Sequence, residues 1–276
     1  MSSSIPQLDL NDGKRAPQLG FGVWQIDDVH AAEAVETALQ VGYRSIDTAA
    51  IYRNEKGVGE GIARSGVARK DIFLTTKLWN AEQGYDSALK AFEHSLKLLG
   101  SDYVDLYLIH WPVPSKNLYV DSWKAFIRLR DEGRIRSIGV SNFQPAHIDR
   151  LLAETGVAPA VNQIELHPDF AQRDLAAYNA SHHIVTESWS PLGQGGELLQ
   201  HPVLLELAKR HGKSAAQVVL RWHIQHGYMV IPKSQTPSRI RENFEVFDFS
   251  LDAAAMQALD GLDAGHRIGP HPDTLE

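Results

Sequence analysis

The sequence predicts an α/β protein: a single (β/α)8 TIM barrel with an N-terminal β-hairpin, in one domain that spans residues 1–276. Short apolar runs typical of buried strands alternate along the chain with amphipathic stretches that end in glycine. No Pro/Ser-rich linker, low-complexity run or change of composition divides the chain. Eight such alternations are the number that closes a parallel barrel.

The hairpin comes first. It is predicted for "IPQLDLNDGKRAPQL", where Asn11, Asp12 and Gly13 supply the turn. Eight strand candidates follow in chain order, namely "LGFGVW", "RSIDTA", "IFLTTKLW", "VDLYLIHW", "RSIGVSN", "AVNQIEL", "IVTESWSPL" and "YMVIPKS".

Helical patterns separate these strands. "DDVHAAEAVETALQVG" has an acidic start, a glycine stop and an apolar stripe formed by Val29, Ala32, Val35, Ala38 and Leu39. "YDSALKAFEHSLKLLG" repeats this spacing at Leu89, Phe92, Leu96 and Leu99. Three further stretches also end in glycine, as a helix C-terminus prefers: "SWKAFIRLRDEG", "HIDRLLAETG" and "SAAQVVLRWHIQHG".

An open doubly wound sheet is the alternative architecture. Such a sheet normally carries G-x-G-x-x-G after its first strand. In "GVGEGIARSG", Gly57 and Gly59 are followed by Ile62 rather than glycine, so the fingerprint fails.

The bulk composition narrows the possible functions. The chain is 43% hydrophobic and 22% charged with a net charge of −7, so it has no basic field that would favour nucleic acid. It has no cysteine, which excludes disulfides and thiolate ligands. We find no signal peptide or membrane-length apolar run and expect a cytoplasmic protein without a membrane or nucleic-acid partner. Although there are 13 histidines, no H-E-x-x-H occurs, and we expect no metal site.

Polar or aromatic side chains stand at or near the ends of seven predicted strands. Because active sites of these barrels lie at the C-terminal ends of the strands, we expect them to meet. Taken singly, each has an ordinary explanation, such as a capping aspartate or an exposed lysine. The set is Asp47, Lys77, His110, Ser141, Asn142, Gln163, Glu165, Trp189, Ser190, Lys233 and Ser234.

Two loops are candidates for holding a phosphorylated cofactor. After the seventh strand, the Gly-rich "SPLGQGG" could cover a pyrophosphate with its backbone, or be a flexible connector; its candidates are Ser190, Leu192, Gly193 and Gln194. After the eighth strand, we expect Thr236 to cap a helix with Pro237 at its first position. Lys233, Ser234 and Arg239 would make that helix start an anion site, which favours the 2′-phosphate of NADPH; a solvated basic turn is the alternative.

Three long segments give the chain a family resemblance. "GYRSIDTAAIYRNEKGVG", "GRIRSIGVSNF" and "IPKSQTPSRIRENF" resemble the signatures of the aldo-keto reductases, in the family's order. The resemblance runs from about Leu10 to Asp273. Among members, "TTKLWN", "NQIELHP" and "ESWSPLGQG" are most similar to the bacterial 2,5-diketo-D-gluconate reductases.

The resemblance implies a catalytic tetrad of Asp47, Tyr52, Lys77 and His110. It also implies NADPH-dependent reduction of an aldehyde, a ketone or a keto-sugar acid such as 2,5-diketo-D-gluconate to the alcohol. A phenol with pKa near 10 is a weak acid at neutral pH, so we expect Lys77 to lower the pKa of Tyr52 and Asp47 to hold Lys77 in place. His110 would direct a ring N–H at the carbonyl oxygen.

The same resemblance implies the remaining site residues. Trp189 would stack on the nicotinamide, with Ser141, Asn142 and Gln163 binding its carboxamide. Thr236, Glu242 and Asn243 belong to the implied cofactor site, the last two reaching the adenine. The substrate would lie among Trp24, Trp79, His110 and Trp111.

Two other functions remain open on the sequence. Barrels also place lysines at strand ends for Schiff-base chemistry, so Lys77 could serve an aldolase-type enzyme. A reductase-like barrel could instead be a non-catalytic NADPH-binding regulatory subunit. The resemblance implies a small-molecule carbonyl substrate and a monomer.

Overall fold

A computed structural model describes residues 5–275 of the chain. The strands in that span are β1 Gln7–Asp9, β2 Arg15–Pro17, β3 Phe21–Gly22, β4 Ser45–Asp47, β5 Phe73–Leu78, β6 Val104–Ile109, β7 Ile135–Ser141, β8 Val161–Glu165, β9 Val185–Trp189 and β10 Met229–Val230. The helices are α1 Asp28–Val41, α2 Glu55–Arg64, α3 Tyr85–Leu99, α4 Tyr119–Asp131, α5 Pro145–Thr155, α6 Arg173–Ser181, α7 Pro202–His211, α8 Ala215–Gln225, α9 Pro237–Phe244 and α10 Ala253–Asp260. Between residues 5 and 275, no helix has both the length and the apolar character that a membrane crossing requires.

The eight strands β3 to β10 form one parallel sheet in chain order. The sheet closes on itself, because Leu19 bridges Val230 and Gly22 bridges Lys233, both in parallel register. The antiparallel hairpin β1–β2 precedes it, with Gln7 opposite Pro17. The predicted (β/α)8 barrel with its N-terminal hairpin is confirmed.

Burial follows the barrel geometry, with one correction. Every residue of β5 and β6 is buried, as expected for strands covered on both faces. Most of the apolar stripe predicted for α1 faces the core, but Val29 does not: it is 72% exposed. It lies in the first turn, where a stripe extrapolated from the helix interior no longer faces a neighbour.

The chain has more helices than an eightfold barrel needs. Both α7 and α8 lie between β9 and β10, and α10 follows α9. The helix α2 occupies the segment in which the dinucleotide fingerprint failed. Because the strands are parallel, their C-terminal ends meet at one end of the barrel, called the mouth below.

Candidate active site

A buried ion pair lies at the centre of the mouth. Asp47 ends β4 and pairs with Thr75 of β5, so Lys77, two residues further along β5, points to the same face. The ammonium of Lys77 donates to Oδ1 of Asp47 at 2.6 Å and to the carbonyl of Thr48 at 2.9 Å. The Lys77 side chain is 0% exposed. Burial alone would lower the pKa of Lys77, but the Asp47 carboxylate and the Tyr52 hydroxyl raise it above its ordinary value. The amine therefore stays protonated.

Tyr52 lies beside this ion pair. It ends a short 3-10 turn, Ala50–Tyr52, after which Arg53 adopts a left-handed conformation with φ 55°. The Lys77 ammonium lies 5.1 Å from the centroid of the Tyr52 ring. Burial raises the pKa of the Tyr52 phenol above its ordinary value, and Lys77 offsets only part of that rise. The expected net lowering of the Tyr52 pKa is therefore wrong, because desolvation outweighs the effect of the ammonium.

His110 completes the group and is packed among aromatic rings. Its ring centroid lies 5.8 Å from that of Tyr52 and 5.4 Å from that of Trp79, both edge to face. Trp111 stacks beside it at 6.5 Å. Burial, and then the Lys77 charge, hold the pKa of His110 well below its usual range, so the imidazole is neutral. Its buried Nδ1 has no hydrogen-bond partner among the described residues.

Gln163 and Glu187 extend the network inward. The side-chain Nε2 of Gln163 donates to Oδ2 of Asp47 at 2.9 Å and to Oε2 of Glu187 at 2.8 Å. All three side chains are buried. The sequence analysis did not identify Glu187, because it considered only residues at strand ends. An acidic residue inside the otherwise buried strand "IVTESW" could have indicated it.

The Trp189 side chain is fixed by Asn142. The indole Nε1 donates to Oδ1 of Asn142 at 2.8 Å, while Nδ2 of Asn142 donates to the carbonyl of His110 and to Oγ of Ser141. Ser141 in turn donates to the carbonyl of Gln163 at 2.9 Å. Four strand ends are thus connected, and the half-buried indole has a fixed plane.

The loop after β9 has an unusual backbone. Ser190, Gly193, Gln194 and Gly195 all have positive φ, between 48° and 75°. Leu192 packs against the core, and Gln194 is exposed. The amides of Gly193, Gly195 and Gly196 donate to carbonyls within the loop, so these residues form a series of tight turns.

The start of α9 presents two exposed cations, Lys233 and Arg239. The expected Thr236 cap is wrong as far as its side chain is concerned, because that side chain makes no capping hydrogen bond. Instead Oγ of Ser234 accepts from the Thr236 amide at 3.1 Å. Further along α9, Glu242 is half-buried and Asn243 is buried.

Glu165 has a role that its position at a strand end did not reveal. Its carboxylate accepts from the backbone amides of Ile268 at 2.6 Å and Gly269 at 2.8 Å, and it lies 3.0 Å from Nε2 of His167. A Cβ at Gly269 would lie 2.5 Å from Cη2 of Trp189, so the C-terminal segment reaches the edge of that indole. Glu165 thereby anchors this segment at the mouth.

Glu165→Gln is expected to loosen this segment. Charge-assisted hydrogen bonds contribute about 1.5–3 kcal/mol each, so hydrogen exchange of the Ile268 and Gly269 amides should accelerate about tenfold or more.

The anchoring by Glu165 also depends on pH. Burial raises the pKa of Glu165, but its hydrogen bonds to His167 and to the two amides have the larger combined effect and lower the pKa below 4.5. The anchoring is therefore present above pH 4.5 and lost as the pH falls through the lowered value. Amide exchange read by mass spectrometry checks this, and equal rates in both proteins would contradict it.

The structure thus brings Asp47, Tyr52, Lys77 and His110 together. Trp79 and Trp111 lie against His110, whereas Trp24, which follows β3, is 41% exposed. The remaining candidates lie at the ends of β7, β8 and β9, on the loops after β9 and β10, and on α9.

Comparison with known proteins agrees with this geometry. Residues 18–264 match the model of the aldo/keto reductase family. An aldo-keto reductase of Mycolicibacterium smegmatis is 58% identical, covering 98% of both chains. The methylglyoxal reductase DkgA of Yersinia pestis is 54% identical, covering 98% of this chain and 97% of that protein.

Solved structures give the same result. A crystal structure of an aldo/keto reductase from Brucella melitensis superposes with TM-score 0.91 at 58% identity, covering 94% of this chain and all of the other. A mutant of Gox0644 in complex with NADPH superposes with TM-score 0.96 at 49% identity, covering 99% of this chain and all of the other. The chain belongs to the aldo/keto reductase family.

Proposed function

We propose that the protein reduces a small carbonyl compound to the alcohol, with NADPH as the reductant and Tyr52 as the proton donor. As an aldo/keto reductase the chain is an NADP-dependent oxidoreductase. One observation carries the residue assignment: a buried Lys77–Asp47 pair with an N–O distance of 2.6 Å, beside the Tyr52 ring and a neutral His110. Bound NADPH supplies a hydride to the carbonyl carbon.

The chain's own residues supply the proton. As negative charge develops on the carbonyl oxygen, Tyr52 transfers its hydroxyl proton to that oxygen, and the phenolate that remains faces the Lys77 ammonium. Asp47 keeps the ammonium charged and in place. A buried N–H without an acceptor costs more than a buried lone pair, so we place the proton of His110 on Nε2, leaving Nδ1 as the unpartnered atom. This N–H would orient the carbonyl.

The residues present fit the cofactor. Both hydrogens of the Gln163 amide are used by Asp47 and Glu187, so its Oε1 is the atom available to accept from a carboxamide. Trp189 offers an aromatic face held by Asn142. We propose the glycine-rich loop after β9 for the pyrophosphate, and the start of α9 for the 2′-phosphate. We propose that Glu242 and Asn243 contact the adenine of the bound cofactor.

The protonation of Lys77 disfavours the aldolase alternative. A Schiff base forms from the neutral amine, and the Asp47 carboxylate holds Lys77 in the ammonium form. Borohydride trapping with a carbonyl substrate should therefore leave Lys77 unlabelled.

The substrate class follows from the relatives and the mouth. Relatives that are 54% identical are named methylglyoxal reductase, which supports small α-oxo carbonyl compounds as substrates. The indole rings of Trp79 and Trp111, which lie against His110, would pack against the short carbon chain of a small carbonyl compound. A panel of methylglyoxal, 2,5-diketo-D-gluconate, a β-keto ester and simple aldehydes, followed by NADPH absorbance, tests this. If the protein reduces none of these compounds, the proposed function is wrong.

We further propose that the protein is a cytoplasmic monomer, to be checked by size-exclusion chromatography and cell fractionation.

Arg239→Ala is expected to lower the affinity for NADPH and to leave the affinity for NADH unchanged, because the two cofactors differ only in the 2′-phosphate. Charge-assisted contacts to phosphate contribute about 1.5–3 kcal/mol each, or roughly ten- to a hundredfold in affinity. Titration by quenching of tryptophan fluorescence measures both affinities. Arg241→Ala, a second exposed arginine on α9, is the matched control. Equal losses for both cofactors would mean that Arg239 does not bind the 2′-phosphate.

A further inference from the structure

A second buried carboxyl group lies behind the reacting residues. Glu187 is 1% exposed, in the middle of β9, and accepts from the same Gln163 nitrogen that donates to Asp47. One amide nitrogen thus bridges two carboxyl groups, while a single ammonium, Lys77, contacts Asp47 and not Glu187. Two adjacent buried carboxylates with one cation leave one negative charge without a partner, which is costly away from solvent.

The surroundings indicate which carboxyl group carries the proton. Asp47 has a direct 2.6 Å contact with Lys77 and so keeps its charge. Burial, and then the Asp47 charge, raise the pKa of Glu187 to about 8 against the weaker effects of the Gln163 bond and Lys77. On the neighbouring strand β10, the residue in register with Glu187 is the apolar Met229. His223 of α8 bonds to Ser188, the next residue along β9. The charged or titratable groups that act on Glu187 are therefore Asp47 and Lys77, with Tyr52 beyond them.

We propose that Glu187 is a positioning residue for proton transfer: its neutral carboxyl holds Gln163 against Asp47, and its ionisation weakens Tyr52 as an acid. The inference rests on the proposed function. An ionised Glu187 adds a second anion near the phenol, which disfavours the phenolate that Tyr52 must become. It also attracts Lys77, whose ammonium is needed to stabilise that phenolate.

The pH profile of turnover tests the proposal. At saturating NADPH, wild-type kcat should fall as the pH rises through about 8, because the added negative charge makes the Tyr52 phenolate less favourable. Glu187→Gln keeps the shape and can still accept from Gln163, so its kcat should stay level over that range. Glu55→Gln is the matched control: Glu55 is another buried carboxyl with a raised pKa, bonded to Thr76, and should show the wild-type profile. An alkaline decline in Glu187→Gln equal to that of the wild type would overturn the proposal.

A measurement without cofactor or substrate separates this inference from the proposed function. A carboxyl group whose folded-state pKa is raised contributes stability below its unfolded value, and that contribution is lost as the pH rises. The Tm of Glu187→Gln relative to the wild type should therefore increase between pH 4.5 and about 8 and stay constant above. A flat Tm difference would overturn the inference even if the enzyme reduces carbonyls. A rising difference would support it even if the chosen carbonyls fail.

Should the glutamine variant of Glu187 not fold, the Glu55→Gln protein, in which Glu187 is intact, is used instead. Difference infrared spectra of the cofactor-free protein should show a buried carboxylic acid band that disappears as the pH passes about 8. Absence of any carboxylic acid band in that range would overturn the assignment.

Discussion

Replacing Tyr52 by Phe should lower kcat for carbonyl reduction by about 10²-fold or more, the scale of a positioned general acid. The ring still packs against His110 and Lys77, so NADPH affinity should change little. Steady-state kinetics and fluorescence titration measure the two quantities separately.

Tyr228→Phe is the matched control. Tyr228 directly precedes β10, at the opposite end of the barrel from the mouth, so loss of its hydroxyl should leave kcat unchanged. Wild-type turnover in Tyr52→Phe would remove Tyr52 from the mechanism. A loss of NADPH binding that accounts for the whole effect would do the same.

Lys77→Met should have the second largest effect, on both turnover and stability. Without the ammonium, nothing offsets the burial that raises the pKa of Tyr52, so the pH dependence of kcat should shift and the rate should fall. Asp47 would be left as a buried anion without its cation. Breaking a buried pair in this way costs about 3–5 kcal/mol of unfolding free energy.

The double variant Asp47→Asn/Lys77→Met separates these two effects. Removing both charges should restore much of the unfolding free energy measured in urea, because no unpaired charge stays buried. Turnover should remain low, since the phenolate still lacks its ammonium. Wild-type rate with an unaltered pH profile in Lys77→Met would leave Lys77 as a purely structural residue.

Much of the site was predictable because it depends on strand ends. Adjacent parallel strands bring their last residues together, so Asp47 on β4 and Lys77 on β5 could be paired from the sequence. The net pKa of Tyr52 was not predictable in the same way. It depends on the balance between burial and one ammonium, and only coordinates give the burial.

Other features depend on contacts between distant segments. Glu187 meets Asp47 through Gln163, which is 116 residues from Asp47 in the chain, and only closure of the barrel brings them together. The helix α2 was not predicted, because Gly57, Gly59 and Gly61 lower local helix propensity. These glycines allow close packing instead: a Cβ at Gly57 would lie 1.8 Å from the Asp28 carbonyl oxygen.

The most direct test of the central claim is transfer of deuterium from NADPH deuterated at the hydride position of the nicotinamide to methylglyoxal. We expect the alcohol product to carry one deuterium on the carbinol carbon for each NADPH consumed. The rate should collapse in Tyr52→Phe without loss of NADPH binding. An alcohol formed without deuterium, or deuterium transfer at the wild-type rate in Tyr52→Phe, would contradict hydride reduction with Tyr52 as the acid.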